Sequence, residues 1–260
     1  MWYLRLWRQF IIAALVRETE YRVSFLLSLL EGLAQLVLAV LGLGILYSFT
    51  DTVAGWSQPE VLMLTGVYRM VDALIAMQLA PNMNAIAGYI RRGELDFLLL
   101  RPVPHQFLVS VRRLQLSEGL NVFVGLMLLV YAGNVARVQW SVVASATAAL
   151  FGLCGLILLY AVWFCAVTCS FWLQASPVYE LFYGFIETAR YPVSFFKGWI
   201  RALLTFAFPV AFVTTFPTQA LTGHSNLQLL LQGLVLASIS LVATHLFWDY
   251  AVRHYASASS

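Results

Sequence analysis

The stretch RRGELDFLLLRPVPHQFLVSVRR, Arg91–Arg113, holds five arginines, two carboxylates and one short apolar run, Phe97–Leu100. A helix that crosses a bilayer needs about 20 mostly apolar residues, so the FLLL run cannot be a span. Long apolar stretches flank the segment on both sides. A charged segment between two apolar ones is the pattern of a loop that leaves a membrane and returns to it.

Composition supports that reading. The 260 residues are 61% hydrophobic and 10% charged, with a net charge of +3 and a mean hydropathy of +0.82. A soluble domain carries about 25% charged residues. The fold expected is therefore an all-α integral membrane protein, organised as one transmembrane domain over residues 1–260. The small net charge does not suggest nucleic acid, since the arginines cluster in loops.

Six spans are expected: about Val23–Phe49, Glu60–Ile90, Leu114–Tyr131, Val142–Trp172, Ala202–Leu221 and Leu227–Tyr250. Pro81 predicts a kink in the second. The fourth is long enough to tilt or project. Residues 1–22 precede the first span. Within them Arg5, Arg8 and Gln9 fall on one side of a helix, and Trp2, Leu6, Trp7, Phe10 and Ala14 on the other. That is an amphipathic helix lying in the membrane interface, with the start of a long first helix as the simpler alternative. Arg17, Glu18, Glu20 and Arg22 interrupt it before a signal-peptide cleavage site could occur.

Under this segmentation, loops on one side carry thirteen of the fifteen Lys and Arg residues, and Arg137 alone lies in the opposite loops. The excess marks the cytoplasmic side and puts both termini there. Ser176–Arg201 is assigned to that side as well. Val178, Leu181, Phe182, Phe185 and Ile186 form an apolar face there, and the helix is expected to break at Tyr191–Pro192.

Gly93 ends the second span, and Glu94 and Asp96 open a short helix that Arg101 and Pro102 close. Acid at a helix start and arginine at its end suit the dipole. Its apolar residues point in nearly every direction, so a second surface is expected for some of them. Burying one leucine or phenylalanine is worth about 1.5–3 kcal/mol.

The run IRRGELDFLLLRPVPHQFLV, Ile90–Val109, resembles the cytoplasmic signature of permeases of the bacterial type-2 ABC transporter class, in a subfamily of six-helix exporters. ARYPVSFF, Ala189–Phe196, and FAFPVAFVTTFPTQAL, Phe206–Leu221, resemble that subfamily's C-terminal half. The resemblance implies a coupling segment at 91–113. Its contact with a separate ATP-binding subunit falls on Gly93, Glu94, Leu95, Asp96, Phe97, Leu98, Leu99, Leu100, Arg101 and Pro102. A loop lying on lipid is the alternative. The resemblance further implies two copies of that ATPase, with ATP and Mg bound there and no cofactor on this chain. A second permease, identical or related, completes the assembly in a bacterial cytoplasmic membrane. Export is the direction expected, by alternating access.

Motif absences agree with this division of labour. The chain has a single lysine, Lys197, preceded by Phe196, so the phosphate-binding G-x-x-x-x-G-K-[ST] cannot occur. There is no H-E-x-x-H, no G-x-S-x-G and no paired carboxylates, so no catalytic residue is assigned. Cys154, Cys165 and Cys169 share one apolar run and read as packing residues. His105, His224, His245 and His254 are scattered, and no metal site is expected. No internal repeat occurs, and low complexity is confined to the ASASS tail.

Four charges fall within spans: Glu31, Arg69, Asp72 and Glu118. Each costs a few kcal/mol at the bilayer centre, so they should face helices or water. Arg69 and Asp72 sit at i, i+3 and can pair, with Glu31 a candidate second partner for Arg69. They are read as a substrate-path lining or as an ion-paired staple. An ion-coupled secondary transporter and a non-transporting membrane scaffold are the competing functions. ATP-independent flux would mark the first, and purification without an ATPase the second.

Overall fold

The computed structural model describes residues 2–20, 22–173, 178–224 and 226–255. The side chains of Trp2, Arg5, Leu6, Arg17, Arg22, Val178 and Leu181, and the tail after Tyr255, lie outside the described residues.

Twelve α-helices account for most of the chain: α1 Trp2–Glu20, α2 Arg22–Tyr47, α3 Gln58–Leu74, α4 Ala80–Arg91, α5 Glu94–Leu99, α6 His105–Val111, α7 Gly119–Val135, α8 Val142–Thr168, α9 Val178–Glu187, α10 Gly198–Ala202, α11 Phe216–Leu221 and α12 Leu227–Arg253. The two short strands, Thr52–Val53 and Trp56–Ser57, pair antiparallel in the α2–α3 loop. Among the described residues, four helices are long and apolar enough to cross a membrane: Leu29–Tyr47, Leu116–Val135, Val142–Phe171 and Leu227–Arg253. A bent pair, Gly198–Ala207 with Ala211–Leu221, makes a fifth if counted as one passage.

The second expected span is present as helix but is not among these four. From Gln58 to Arg91 the helix continues through α3, a wider π turn at Ile75–Leu79, and α4. Pro81 lies just beyond that turn. Proline has no N–H and its ring crowds the carbonyl four residues back, and the widened turn absorbs both. Within Val61–Ile90 only Asn84 is exposed. Surrounded by its neighbours rather than lipid, this central helix can carry Thr65, Arg69, Asp72, Gln78 and Asn82. Its start is fixed by Glu60, whose Oε2 accepts from the Ser57 backbone N and hydroxyl, both at 2.8 Å, a capping-box arrangement.

α3 packs most intimately on α7. A side chain at Gly66 would strike the Leu129 backbone N at 2.6 Å, and one at Gly125 the Met70 backbone N at 2.7 Å. Small residues at a crossing let helices in apolar surroundings approach to backbone contact.

Two expectations are corrected in the C-terminal half. The fifth span, drawn through Ala202–Leu221, is not one straight helix. It turns by 75° between Ala207 and Ala211, where Phe208 is extended and Pro209 follows. Second, the Ser176–Arg201 segment does not stay on the Arg91–Arg113 side. Phe182 stacks on Trp163 (5.7 Å between ring centres), near the Thr168 end of α8. Twelve residues on, Ser194 Oγ accepts from Trp56 Nε1 at 2.8 Å, at the opposite end of the molecule beside the start of α3. Between them α9 climbs, with Arg190 over the Tyr68 ring at 5.8 Å. The chain then dips. Phe208 returns to within 5.6 Å of Phe182, and Ala211–Leu221 rises again. Thr214 Oγ1 donates to the Ala189 carbonyl at 2.9 Å, and Thr215 Oγ1 accepts from Val193 N at 3.1 Å. Lys197 and Arg201 thus belong to the Trp56 side.

α1 runs from Trp2 to Glu20, within the residues 1–22 expected to form it. Ala14 is buried and Phe10 half-buried, while Trp7, Arg8 and Gln9 are exposed. The cysteine sulfurs make local contacts: Cys165 Sγ with Thr244 Oγ1 at 3.7 Å, and Cys169 Sγ with the Cys165 carbonyl at 3.4 Å.

Candidate functional site

The site begins where the central helix stops. Gly93 has φ +68°, the left-handed conformation that glycine adopts without steric cost and that commonly ends helices. α5 starts on the next residue. Arg92 Nε donates to Glu94 Oε1 at 2.6 Å across the turn. That bond holds the Glu94 carboxyl below, and Arg92 above, its ordinary pKa.

The two faces of α5 differ sharply. Leu95 and Leu98 are 0% and 2% exposed, while Phe97 and Leu100 are 73% and 82% exposed. Leu99 is half-buried and Arg101 and Pro102 are exposed. The ten predicted contact residues therefore divide. Leu95 and Leu98 face their own chain and are corrected to an anchoring role, and Phe97 and Leu100 project outward. Gly93, Glu94 and Asp96 are partly exposed. The helix ends at Leu99, two residues short of the expected Arg101, and its end is bracketed by His105 Nε2, 3.0 Å from the Leu99 carbonyl.

α6 then ties this unit to three long helices. Gln78 Nε2 donates to the Ser110 carbonyl at 3.1 Å. Asn82 Nδ2 donates to the Arg113 carbonyl at 2.7 Å, and Asn82 Oδ1 accepts from Arg113 N at 2.8 Å. Towards α8, Tyr160 Oη lies 2.9 Å from Ser110 Oγ and accepts from Gln106 Nε2 at 3.2 Å. Towards α12, Gln106 Oε1 lies 2.9 Å from His245 Nδ1, and His245 Nε2 is 3.5 Å from Asp249 Oδ2. Gln106, Ser110, Tyr160, His245 and Asp249 line an open cavity of 360 Å³ with Leu241 and Phe107. None of Gln78, Asn82, Gln106, Tyr160 and His245 stood out in the sequence. The available signal was Gln78 and Asn82 on one helix face inside an apolar span.

The four intramembrane charges converge on the α2–α3–α7 junction. Arg69 is buried, 3.6 Å from Asp72 Oδ2. It donates to Gln35 Oε1 at 3.1 Å and to the Gly32 carbonyl. Glu31 is not its partner. It is exposed and accepts from Gln35 Nε2 at 3.2 Å. Glu118 Oε2 accepts from Asn121 Nδ2 at 2.8 Å, and Asn121 abuts Gly32. Arg69 is buried and Asp72 half-buried, with Glu31 one residue removed.

A family model described as "ABC-2 family transporter protein" matches residues 33–259. The chain belongs to the ABC-2 transporter family. No curated protein and no solved structure matches it. This ABC-2 family member is thus a multi-pass membrane protein and a permease subunit of an ABC transporter, a kind of subunit that transports without catalysing and works with an ABC ATPase. The match covers nearly all of the helices above, α5 included.

Proposed function

We propose that this chain is the permease of an ATP-driven exporter, with α5 as its contact to a separate ATP-binding subunit. One observation carries the reading. A six-residue helix outside the long spans is anchored by two fully buried leucines and holds a phenylalanine and a leucine out in the open. Two large apolar side chains on a rigid base fit a pocket on a partner, where their burial stabilises the complex.

The rest of the segment suits transmission. When the ATPase pair closes on ATP and Mg and pulls α5, Leu95, Leu98 and the His105–Leu99 bond move α6 with it. α6 passes the displacement through Gln78 and Asn82 to the central helix, through Tyr160 to α8, and through Gln106–His245 to α12. The pathway between this permease and a second one, identical or related, then opens outward. Two permeases offer two α5 helices, hence two ATPase copies.

The passages are α2, α3–α4, α7, α8, α9 and α12, with residues 198–221 dipping in and returning. Six passages leave both termini on the α5 side, with α1 in the interface of a bacterial cytoplasmic membrane. With Lys197 and Arg201 reassigned and Arg190 beside Tyr68, that side holds ten Lys and Arg residues and the opposite loops three, still a positive-inside bias.

The test is co-expression with the cognate ATP-binding subunit. Phe97→Asp with Leu100→Asp should insert normally yet lose ATPase capture and permease-dependent ATP hydrolysis. Full capture by this double variant, in a correctly inserted protein, rejects the contact. Substrate flux in vesicles without ATP would favour an ion-coupled carrier instead.

A further inference from the structure

The coupling contact leaves unused the two arginines that close the 91–113 stretch. The guanidinium carbons of Arg112 and Arg113 stand 5.8 and 5.4 Å from the centre of the Tyr89 ring. Arg113 Nε also donates to Tyr89 Oη at 3.1 Å. Tyr89 is 3% exposed, whereas both arginines are exposed. One buried ring thus serves as a fixed platform for two outward-facing cations. Among the described residues, neither guanidinium has a carboxylate within 4.0 Å. Glu94, whose charge both arginines feel, is already bonded to Arg92.

Depth in the molecule points to what they meet. The Arg113 backbone is clamped to Asn82 by two hydrogen bonds, and Gln115 N donates to the Met77 carbonyl at 2.9 Å. The apolar run of α7 opens at Leu116, so the arginines stand within one turn of where the chain enters the bilayer. α1 packs against Leu116–Glu118 at the same level. α5 begins beyond the far end of α4, about 7 Å further along the helix axis from Tyr89. The platform therefore lies between the start of the α7 apolar run and the coupling knobs.

We propose that Arg112 and Arg113, held over Tyr89, form a site for the phosphate of an anionic phospholipid. A guanidinium presents a planar fork of donors that matches phosphate, and a fixed ring beneath it reduces the freedom lost on binding. The bound lipid would brace the start of α7 against the Asn82 clamp. The inference rests on the membrane reading of α7, not on the ATPase contact.

Full-length protein in nanodiscs of equal phosphatidylglycerol and phosphatidylcholine, released into mild detergent and weighed by native mass spectrometry, tests this. Wild type should retain phosphatidylglycerol in preference to phosphatidylcholine. R112Q/R113Q should lose that preference by about fivefold for each arginine, and R112K/R113K should keep part of it. If the double glutamine variant does not fold, R112Q alone, at an exposed side chain, reads the single fivefold step. Equal phosphatidylglycerol retention by wild type and the glutamine variants overturns the site. Displacement of the lipid signal by millimolar inorganic phosphate assigns it to free phosphate and overturns it too. Loss of ATP-subunit capture by R112Q/R113Q with lipid retention intact places the arginines on the ATPase face, with the same consequence.

Discussion

Two of the arginine–carboxylate pairs among the described residues share their chemistry but stand in opposite settings. Arg92–Glu94 closes at 2.6 Å with side chains 57% and 46% exposed, whereas Arg69–Asp72 stands at 3.6 Å with side chains 9% and 25% exposed. The shorter pair is the weaker contributor. In water each ion is solvated whether or not the pair forms. In the interior an arginine deprived of its partners keeps its charge and loses its compensation. The setting, not the distance, decides what each pair does: one positions a turn, and the other ties α3 to α2.

Five variants probe this contrast between buried and exposed settings, from the largest effect to the smallest. Arg69→Ala should destabilise by about 3–5 kcal/mol, since Asp72, Gln35 and the Gly32 carbonyl lose a shared donor inside the protein; unfolding in detergent with denaturant reads it. Arg69→Met with Asp72→Leu should recover most of that loss, because neither charge remains to be compensated. If the double variant is as unstable as the single, the staple reading fails. Leu98→Ala should cost about 2–5 kcal/mol as a buried leucine, whereas Phe97→Ser on the same helix should stay within about 0.5 kcal/mol. Equal losses at the two positions would erase the two-faced character of α5.

Glu94→Gln should leave the melting temperature unchanged within error. The pH dependence follows from its sign. The folded carboxyl is held below its ordinary value of 4.5, so its small contribution is complete above that value and disappears as the pH falls through the lowered one. Whatever small difference separates the melts of wild type and Glu94→Gln should therefore be constant from pH 7 to 5 and vanish as the pH falls below the ordinary carboxylate value.

Legibility in the sequence followed the range of the signal. α5 was readable because its signals are adjacent: Gly93 for the left-handed stop, acids at the start, Pro102 after the end. Which of its leucines turn inward was not, since that depends on α4 and α6 lying alongside. The Arg69–Asp72 pair was readable from i, i+3 spacing. Its ties to Gln35 and Gly32 cross from α3 to α2 and leave no periodic trace. The bend within residues 198–221 was half legible, because Pro209 announces it without its angle of 75°. Lys197 and Arg201 were grouped with the Arg91–Arg113 loops because loop charges are counted only after the spans are drawn. Glu60–Ile90 was readable as a span, but that its neighbours surround it almost completely was not.

One contact between that dipping segment and α8 constrains how the outer end can open. A single carbon atom added at Gly155 would sit 2.7 Å from the Phe212 carbonyl carbon and the Val213 nitrogen. Main chain rests on main chain there, with no compliant side chain to shear. The two pieces must travel as one block, and any gap that admits cargo has to part along a different seam.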